Sequence, residues 1–195
     1  MSVREVVTIG DPVLRERARE VDPAEIATAP VQGLIDDLVE TMRAAGGAGL
    51  AANQVGETIR VAVAEVDGVN PRYPYKPPFP LTVMINPVIE PLDEEALVIN
   101  EGCLSIPDLR GDVERRVNVR VRYLDREGAE HEEVRRGLTA GTFQHEVDHL
   151  DGILIVDRAD PRTLATWEQF ERHQRDAFFE RIARYTEGAS PEGGE

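Results

Sequence analysis

Cysteine is nearly absent. Cys103 is the only one in 195 residues, so no disulfide can form within the chain, and the thiol must be a packing group, a metal ligand or a nucleophile. Lysine is as scarce: Lys76 stands alone among 22 basic residues, an arginine bias that reads as codon pressure from a GC-rich genome. No stretch approaches the roughly 20 consecutive apolar residues of a membrane helix. The opening Met1-Ser2-Val3-Arg4-Glu5 lacks the hydrophobic run of a secretory signal, so a cytoplasmic protein is expected. Positive charge is deficient too. A formal net charge of −15, with no concentrated basic patch, argues against a nucleic-acid partner.

What is present suits one well-buried core: 41% hydrophobic content over 195 residues. We expect a single catalytic domain over 1–185, interrupted by a proline-rich surface loop at 67–80 (five prolines) and followed by a disordered Gly, Glu and Ser tail at 186–195. Asp11-Pro12-Val13-Leu14-Arg15 reads as a capped helix start. Val31, Leu34, Ile35, Leu38, Val39 and Met42 form one helical stripe that ends at Gly46 and Gly47. Residues 59–66 and 81–89 read as strands, with Pro87 at an edge or bulge. Val117, Val119, Val121 and Tyr123 alternate with polar residues, and 125–128 supplies turn chemistry for a hairpin returning at 131–134. A helix is predicted over 139–151 with Thr139 or Thr142 as cap and Gly152 as stop, and a last helix over 161–185. Strands and helices without regular alternation indicate an α+β fold.

Chemistry concentrates in three segments. His145-Glu146-Val147-Asp148-His149 is an HExxH pattern inside a predicted helix. Residues four apart share a helix face, so both imidazoles can reach one divalent ion while Glu146 points beside it. A catalytic centre of this type takes a third protein ligand. The extended pattern HExxHxxGxxH has its glycine at Gly152 but fails at Ile155, which cannot bind metal. Glu168 or Glu171, from the last helix, would complete a zinc peptidase. Cys103, in Glu101-Gly102-Cys103-Leu104-Ser105, offers a thiolate that binds zinc or ferrous iron well. Finally, Gly47-Ala48-Gly49-Leu50-Ala51-Ala52-Asn53-Gln54 lets backbone pass close to a ligand and carries a side-chain amide donor in Gln54.

In order along the chain these segments resemble the three motifs of the peptide deformylase family: GxGLAAxQ at 47–54, EGCLS at 101–105 and QHExDHLxG at 144–152. Residues 11–15 are similar to the family's opening segment. The resemblance implies an α+β fold with antiparallel or mixed sheets around a central helix carrying HExxH. It implies metal-dependent removal of the N-formyl group from the formylmethionine of nascent polypeptides, releasing formate. Cys103, His145 and His149 would hold one divalent ion, Fe2+ first, with Zn2+, Ni2+ or Co2+ as substitutes. Glu146 would serve as acid and base, with Gln54 and the Leu104 backbone N–H as oxyanion donors. Ala48, Gly49, Leu104 and Arg110 would line the cleft for a formyl-methionyl peptide, and the ribosome is the implied source of that peptide. Two departures, Ala48 for a larger branched residue and Ile155 for an aromatic, imply a wider pocket for the first side chain. The alternatives are the zinc peptidase and a deformylase of a small formylated metabolite.

Overall fold

The computed structural model describes residues 2–67 and 72–186. In chain order its helices are α1 (Pro23–Ile26), α2 (Ala29–Ala44), α3 (Gly137–Leu150), α4 (Ile155–Arg158), α5 (Trp167–His173) and α6 (Arg175–Thr186). Its strands are β1 (Gly49–Ala51), β2 (Val61–Val66), β3 (Phe79–Pro91), β4 (Ala96–Cys103), β5 (Ile106–Arg116), β6 (Asn118–Leu124), β7 (Glu130–Arg136) and β8 (Ala165–Thr166). The tail expected at 186–195 lies outside the described residues, apart from Thr186, which ends α6.

The apolar stripe of α2 buries Val31, Leu34, Ile35, Leu38 and Met42 against β2 and the inner end of β3. Three of these, Ile35, Leu38 and Met42, are wholly inaccessible, and each such side chain stabilises the fold by about 1.5–3 kcal/mol. One sheet runs β1-β2-β3-β6-β7 and the other β4-β5-β8, with every strand pair antiparallel. Pro87 does sit at a bulge: the register of β3 on β6 shifts between Ile85 and Val88, and Asn86 takes φ +53°. The Asn86 side chain holds that conformation by donating to Val21 O and accepting from Val21 N, both at 2.8 Å.

α3 packs against strands of both sheets and buries most of its length. It starts at Gly137, two residues earlier than expected, and neither Thr139 nor Thr142 caps it. Thr142 instead bonds back within the helix, its hydroxyl donating to Leu138 O at 3.2 Å. Gly152 ends the helix as expected, at φ +74°, where an added Cβ would lie 2.6 Å from Arg15 O. The chain can therefore turn there only without a side chain.

Two expectations need correction. The helix predicted over 161–185 is broken into a 3-10 turn (Pro161–Thr163), β8, α5 and α6. Pairing of Leu109 with Thr166 and of Arg110 with Ala165 captures the segment for the sheet, and Thr166 then caps α5 by accepting from Gln169 N. The 67–80 segment is not simply a surface loop. Phe79 and Pro80 begin β3, Tyr73 is buried, and Tyr75 packs edge-on against Phe178 and Phe179; burial of the aromatic rings outweighs the proline composition. The hairpin of β4 and β5 has no periodic signature in the sequence, because β5 turns Arg110 and Arg115 inward.

Candidate active site

Cys103 is the last residue of β4, whereas His145 and His149 stand one turn apart on α3. The packing of α3 on β4 brings them together: Sγ of Cys103 and one nitrogen of each imidazole all lie within 4.8 Å of one another. Cys103 Sγ is 3.2 Å from His149 Nε2, and the two rings are 5.0 Å apart, edge to face. Cys103 and His149 are almost inaccessible, at 5% and 1% exposure. A buried thiol with two imidazoles is a donor set that fits one zinc or ferrous ion.

Glu101, two residues before Cys103 on the same strand, orients this set. Its carboxylate accepts from Arg115 Nε at 2.8 Å and Nη2 at 2.9 Å, and it meets His145 Nδ1 at 2.9 Å. Burial pushes the Glu101 carboxyl up, but Arg115 and His145 outweigh it and hold the group well below the usual carboxylate range. A carboxylate on Nδ1 fixes the tautomer and leaves Nε2 for the metal. Arg115 also donates to Asp148, which accepts from Arg158 Nε and Nη2 at 2.6 Å each. None of Glu101, Arg115 and Asp148 was assigned a role from sequence. The available signal was the two-residue spacing of Glu101 and Cys103, which places both on one face of a strand.

Glu146 is 3% exposed, and its Oε2 has no hydrogen-bond partner. Burial pushes its carboxyl up to about 7, against the opposing pull of His145 and Lys76. It lies on the backbone of Gly49, where an added Cβ would overlap its Oε1 outright. Gln54 is anchored through Oε1, which accepts from Ala51 N at 2.9 Å. Its Nε2 donates to Ser105 Oγ at 3.1 Å and faces Cys103 Sγ at 3.7 Å. Leu104 covers Gly47, at 3.0 Å from the position of an added Cβ. Asn53 donates to the His149 backbone carbonyl, tying the glycine-rich segment to α3.

Ala48, Gly49, Leu104 and Arg110 all line one cleft with Cys103, His145 and Glu146. Tyr73, Tyr75 and Lys76, within the segment whose proline content predicts a surface loop, line it too. Ile155 does not line it: it is buried with Leu14, Cys103 and Leu154 beneath the thiol, so it does not widen the pocket. Glu168 and Glu171 are exposed on α5, Glu171 paired with Arg175 at 3.3 Å, and neither joins the metal-binding group.

A thiol and two imidazoles converging beside a buried carboxylate, on an α+β scaffold, define a mononuclear metallohydrolase. Comparison with known proteins narrows the class. The profile described as "Polypeptide deformylase" matches residues 3–165. A peptide deformylase of Leptospira biflexa is 43% identical over 158 residues, covering 81% of this chain and 88% of its own. Peptide deformylase 1A of Arabidopsis thaliana, chloroplastic/mitochondrial, is 42% identical over 175 residues, covering 86% of this chain and 65% of its own. Among solved structures, the class I type b peptide deformylase of Acinetobacter baumannii with Met-Ala-Ser bound superposes with a TM-score of 0.77. It is 41% identical, over 80% of this chain and 98% of its own. The Thermotoga maritima enzyme gives 0.72 at 37% identity, over 83% of this chain and all of its own. The chain belongs to the polypeptide deformylase family. It is a metal-dependent hydrolase acting as a deformylase on a peptide substrate, and the zinc peptidase alternative falls with Glu168 and Glu171. Among the described residues no helix is long and apolar enough to cross a membrane.

Proposed function

We propose that Cys103, His145 and His149 hold one divalent cation and that Glu146 moves the protons as the chain removes the N-formyl group from formylmethionyl peptides. The observation that carries this reading is the approach of the Cys103 sulfur to the ring nitrogens of His145 and His149, on a different element of the chain, all within 4.8 Å of one another beside a buried carboxylate. The donor set suits ferrous iron, our first assignment, and also zinc, nickel or cobalt. Bound there, the ion supplies Lewis acidity toward water and the formyl oxygen.

The protein's own groups do the rest. Glu146 accepts a proton from the attacking water as a C–O bond forms at the formyl carbon, and its carboxyl, pushed up to about 7, is well matched to take that proton and give it back. Gln54 Nε2 and the Leu104 backbone N–H donate to the oxygen that becomes negative, contacts worth about 3 to 4 kcal/mol each when water is excluded. Glu146 then protonates the departing nitrogen as the C–N bond breaks, freeing formate and an amino terminus. The peptide lies extended along Gly49 and the chain after Cys103, with Ala48 and Arg110 in the same cleft, and pairs through its backbone, so recognition beyond the first residue is largely blind to side chains. The Met-Ala-Ser bound to the Acinetobacter relative supports this choice of substrate. We place the reaction in the cytoplasm on chains emerging from the ribosome, where formylated N-termini arise.

The test is formate release from formyl-Met-Ala-Ser under anaerobic conditions with ferrous, nickel and zinc forms compared. Turnover that is lost together with the metal in Cys103→Ala is expected. A metal-loaded, fully active Cys103→Ala protein would overturn the ligand assignment.

A further inference from the structure

The three motif segments end at Gly152, yet the short helix that follows, α4, meets the metal-binding set from two sides. On one side Ile155, with Leu154 and Ala159 flanking the helix, packs in a cluster with Cys103 and Ile106. On the other stands Arg158, the last residue of α4. Its Nε and Nη2 donate to the two carboxylate oxygens of Asp148, at 2.6 Å each. Asp148 is 9% exposed and lies on α3 immediately before His149. It also accepts from Arg115 Nη1, while Arg115 Nε and Nη2 grip Glu101 at 2.8 and 2.9 Å and Glu101 meets His145 Nδ1 at 2.9 Å. Two guanidiniums and two carboxylates thus alternate from a half-exposed arginine to the ring of a proposed ligand, and no step of the reaction uses that arginine.

The formal charges of these four groups sum to zero, and Arg158 supplies the balance. Among the described residues Asp148 is ion-paired with Arg115 and Arg158. Without Arg158, a buried carboxylate keeps Arg115 as its one cationic partner and attracts it unopposed, since a buried charge that loses its counter-ion is strongly disfavoured. Arg115 is shared between Asp148 and Glu101, so a stronger pull from the first loosens the pair that orients His145. Loss of a carboxylate that orients a ligating histidine lowers metal affinity by about 10- to 100-fold. Arginine suits the place because its planar fork matches both oxygens of Asp148, which a lysine ammonium does not. The helix that carries it is itself pinned: Asp157 accepts from Leu154 N at 2.7 Å and is ion-paired with Arg15. The Arg158 side chain is 42% exposed, so truncating it leaves the core packing intact.

We propose that Arg158 is a positioning residue for the metal centre: it fixes Asp148 and, through Arg115 and Glu101, the ring of His145, so that cation retention depends on a side chain outside the ligand set. The proposal rests on Cys103, His145 and His149 as the ligands, and one experiment separates the two. Zinc affinity is measured by competition with a chromophoric chelator for the native protein, Arg158→Met, Arg158→Lys, Glu101→Gln and the double variant of Arg158→Met with Glu101→Gln. We expect Arg158→Met to raise the Kd for zinc at least about fivefold and Arg158→Lys to raise it less. The double variant should have a Kd within about twofold of that of Glu101→Gln, because both changes break one chain of contacts, whereas independent effects multiply. A smaller rise in folded Arg158→Met overturns the proposal, and so does a double variant in which the two single effects multiply; zinc binding by the native protein then leaves the ligand assignment standing. Should Arg158→Met not fold, Arg158→Gln must raise the Kd at least about threefold or the proposal fails. A native protein that binds no zinc overturns both.

Discussion

At the scale of single residues, the proposed site depends on groups outside the Cys103, His145 and His149 set. Glu101 holds the His145 ring through Nδ1, so Glu101→Gln keeps the shape and removes the charge; metal affinity or turnover should fall about 10- to 100-fold, as for other partners of ligating histidines. Titration with a chromophoric chelator measures the affinity directly. Gly49 is needed because the Glu146 carboxylate occupies the space of its missing side chain. Gly49→Ala should therefore keep the metal while kcat drops by about 10²- to 10⁴-fold, the range for losing a placed acid-base group; retained kcat would show that Glu146 can move without consequence. The pH profile follows from the same carboxylate. Glu146 takes a proton only when ionised, so kcat/KM falls as pH drops through its pKa. Burial pushes that value up to about 7 while His145 and Lys76 lower it. A bound cation lowers it further, which puts the acid limb of the loaded enzyme below 7, and Lys76→Met should shift the limb upward. For folding the signs are opposite at the two carboxyls. The raised Glu146 group adds stability at low pH that is lost as pH rises through about 7, and the depressed Glu101 group adds stability that is lost only as pH falls below the ordinary carboxylate range.

At the scale of elements, α3 is fixed at both ends by tertiary contacts more than by local signals. Its N-terminus has no side-chain cap, whereas its C-terminus closes at Gly152 against the Arg15 carbonyl. Gly152→Ala should cost at least about 1–3 kcal/mol, the strain of a left-handed non-glycine residue, with the collision against Arg15 added to it. A lower midpoint in urea unfolding with an unchanged slope is the expected result. The helix stripe of α2, the β6 and β7 hairpin with its Asp125 turn, and the HExxH helix were all legible, because each has a periodicity that its own residues impose. β5 was not, since its inward positions include Arg110 and Arg115, charged residues that can be buried only because Asn100, Glu101 and Asp148 receive them across space. The break between α5 and α6 was hidden for a related reason: Phe170 and Phe178 join one cluster from two short helices, and sequence spacing does not distinguish this from one long one.

At the scale of the whole molecule, the proposed ion would stabilise the fold, because Cys103, His145 and His149 meet only when α3 is docked on β4. Stripping the metal should lower Tm by about 5–10 °C, from about 2.7 kcal/mol of binding stabilisation at a hundredfold excess over Kd and 2–4 °C per kcal/mol for a chain of this size. Calorimetry of the chelated and reloaded protein checks this, and an unchanged Tm would mean that the three groups do not bind the ion together. The sequence by itself determined the family and put forward the proposed ligands and acid-base group, since HExxH can set two imidazoles on one helix face and the EGCLS segment resembles the family motif that implies Cys103 as the third. Only the tertiary structure decided that this thiol faces the imidazoles, that Glu101 and Arg115 stand behind them, and that Lys76 overlooks the cleft. Those contacts join residues on different elements, and local periodicity carries no information about which faces will meet.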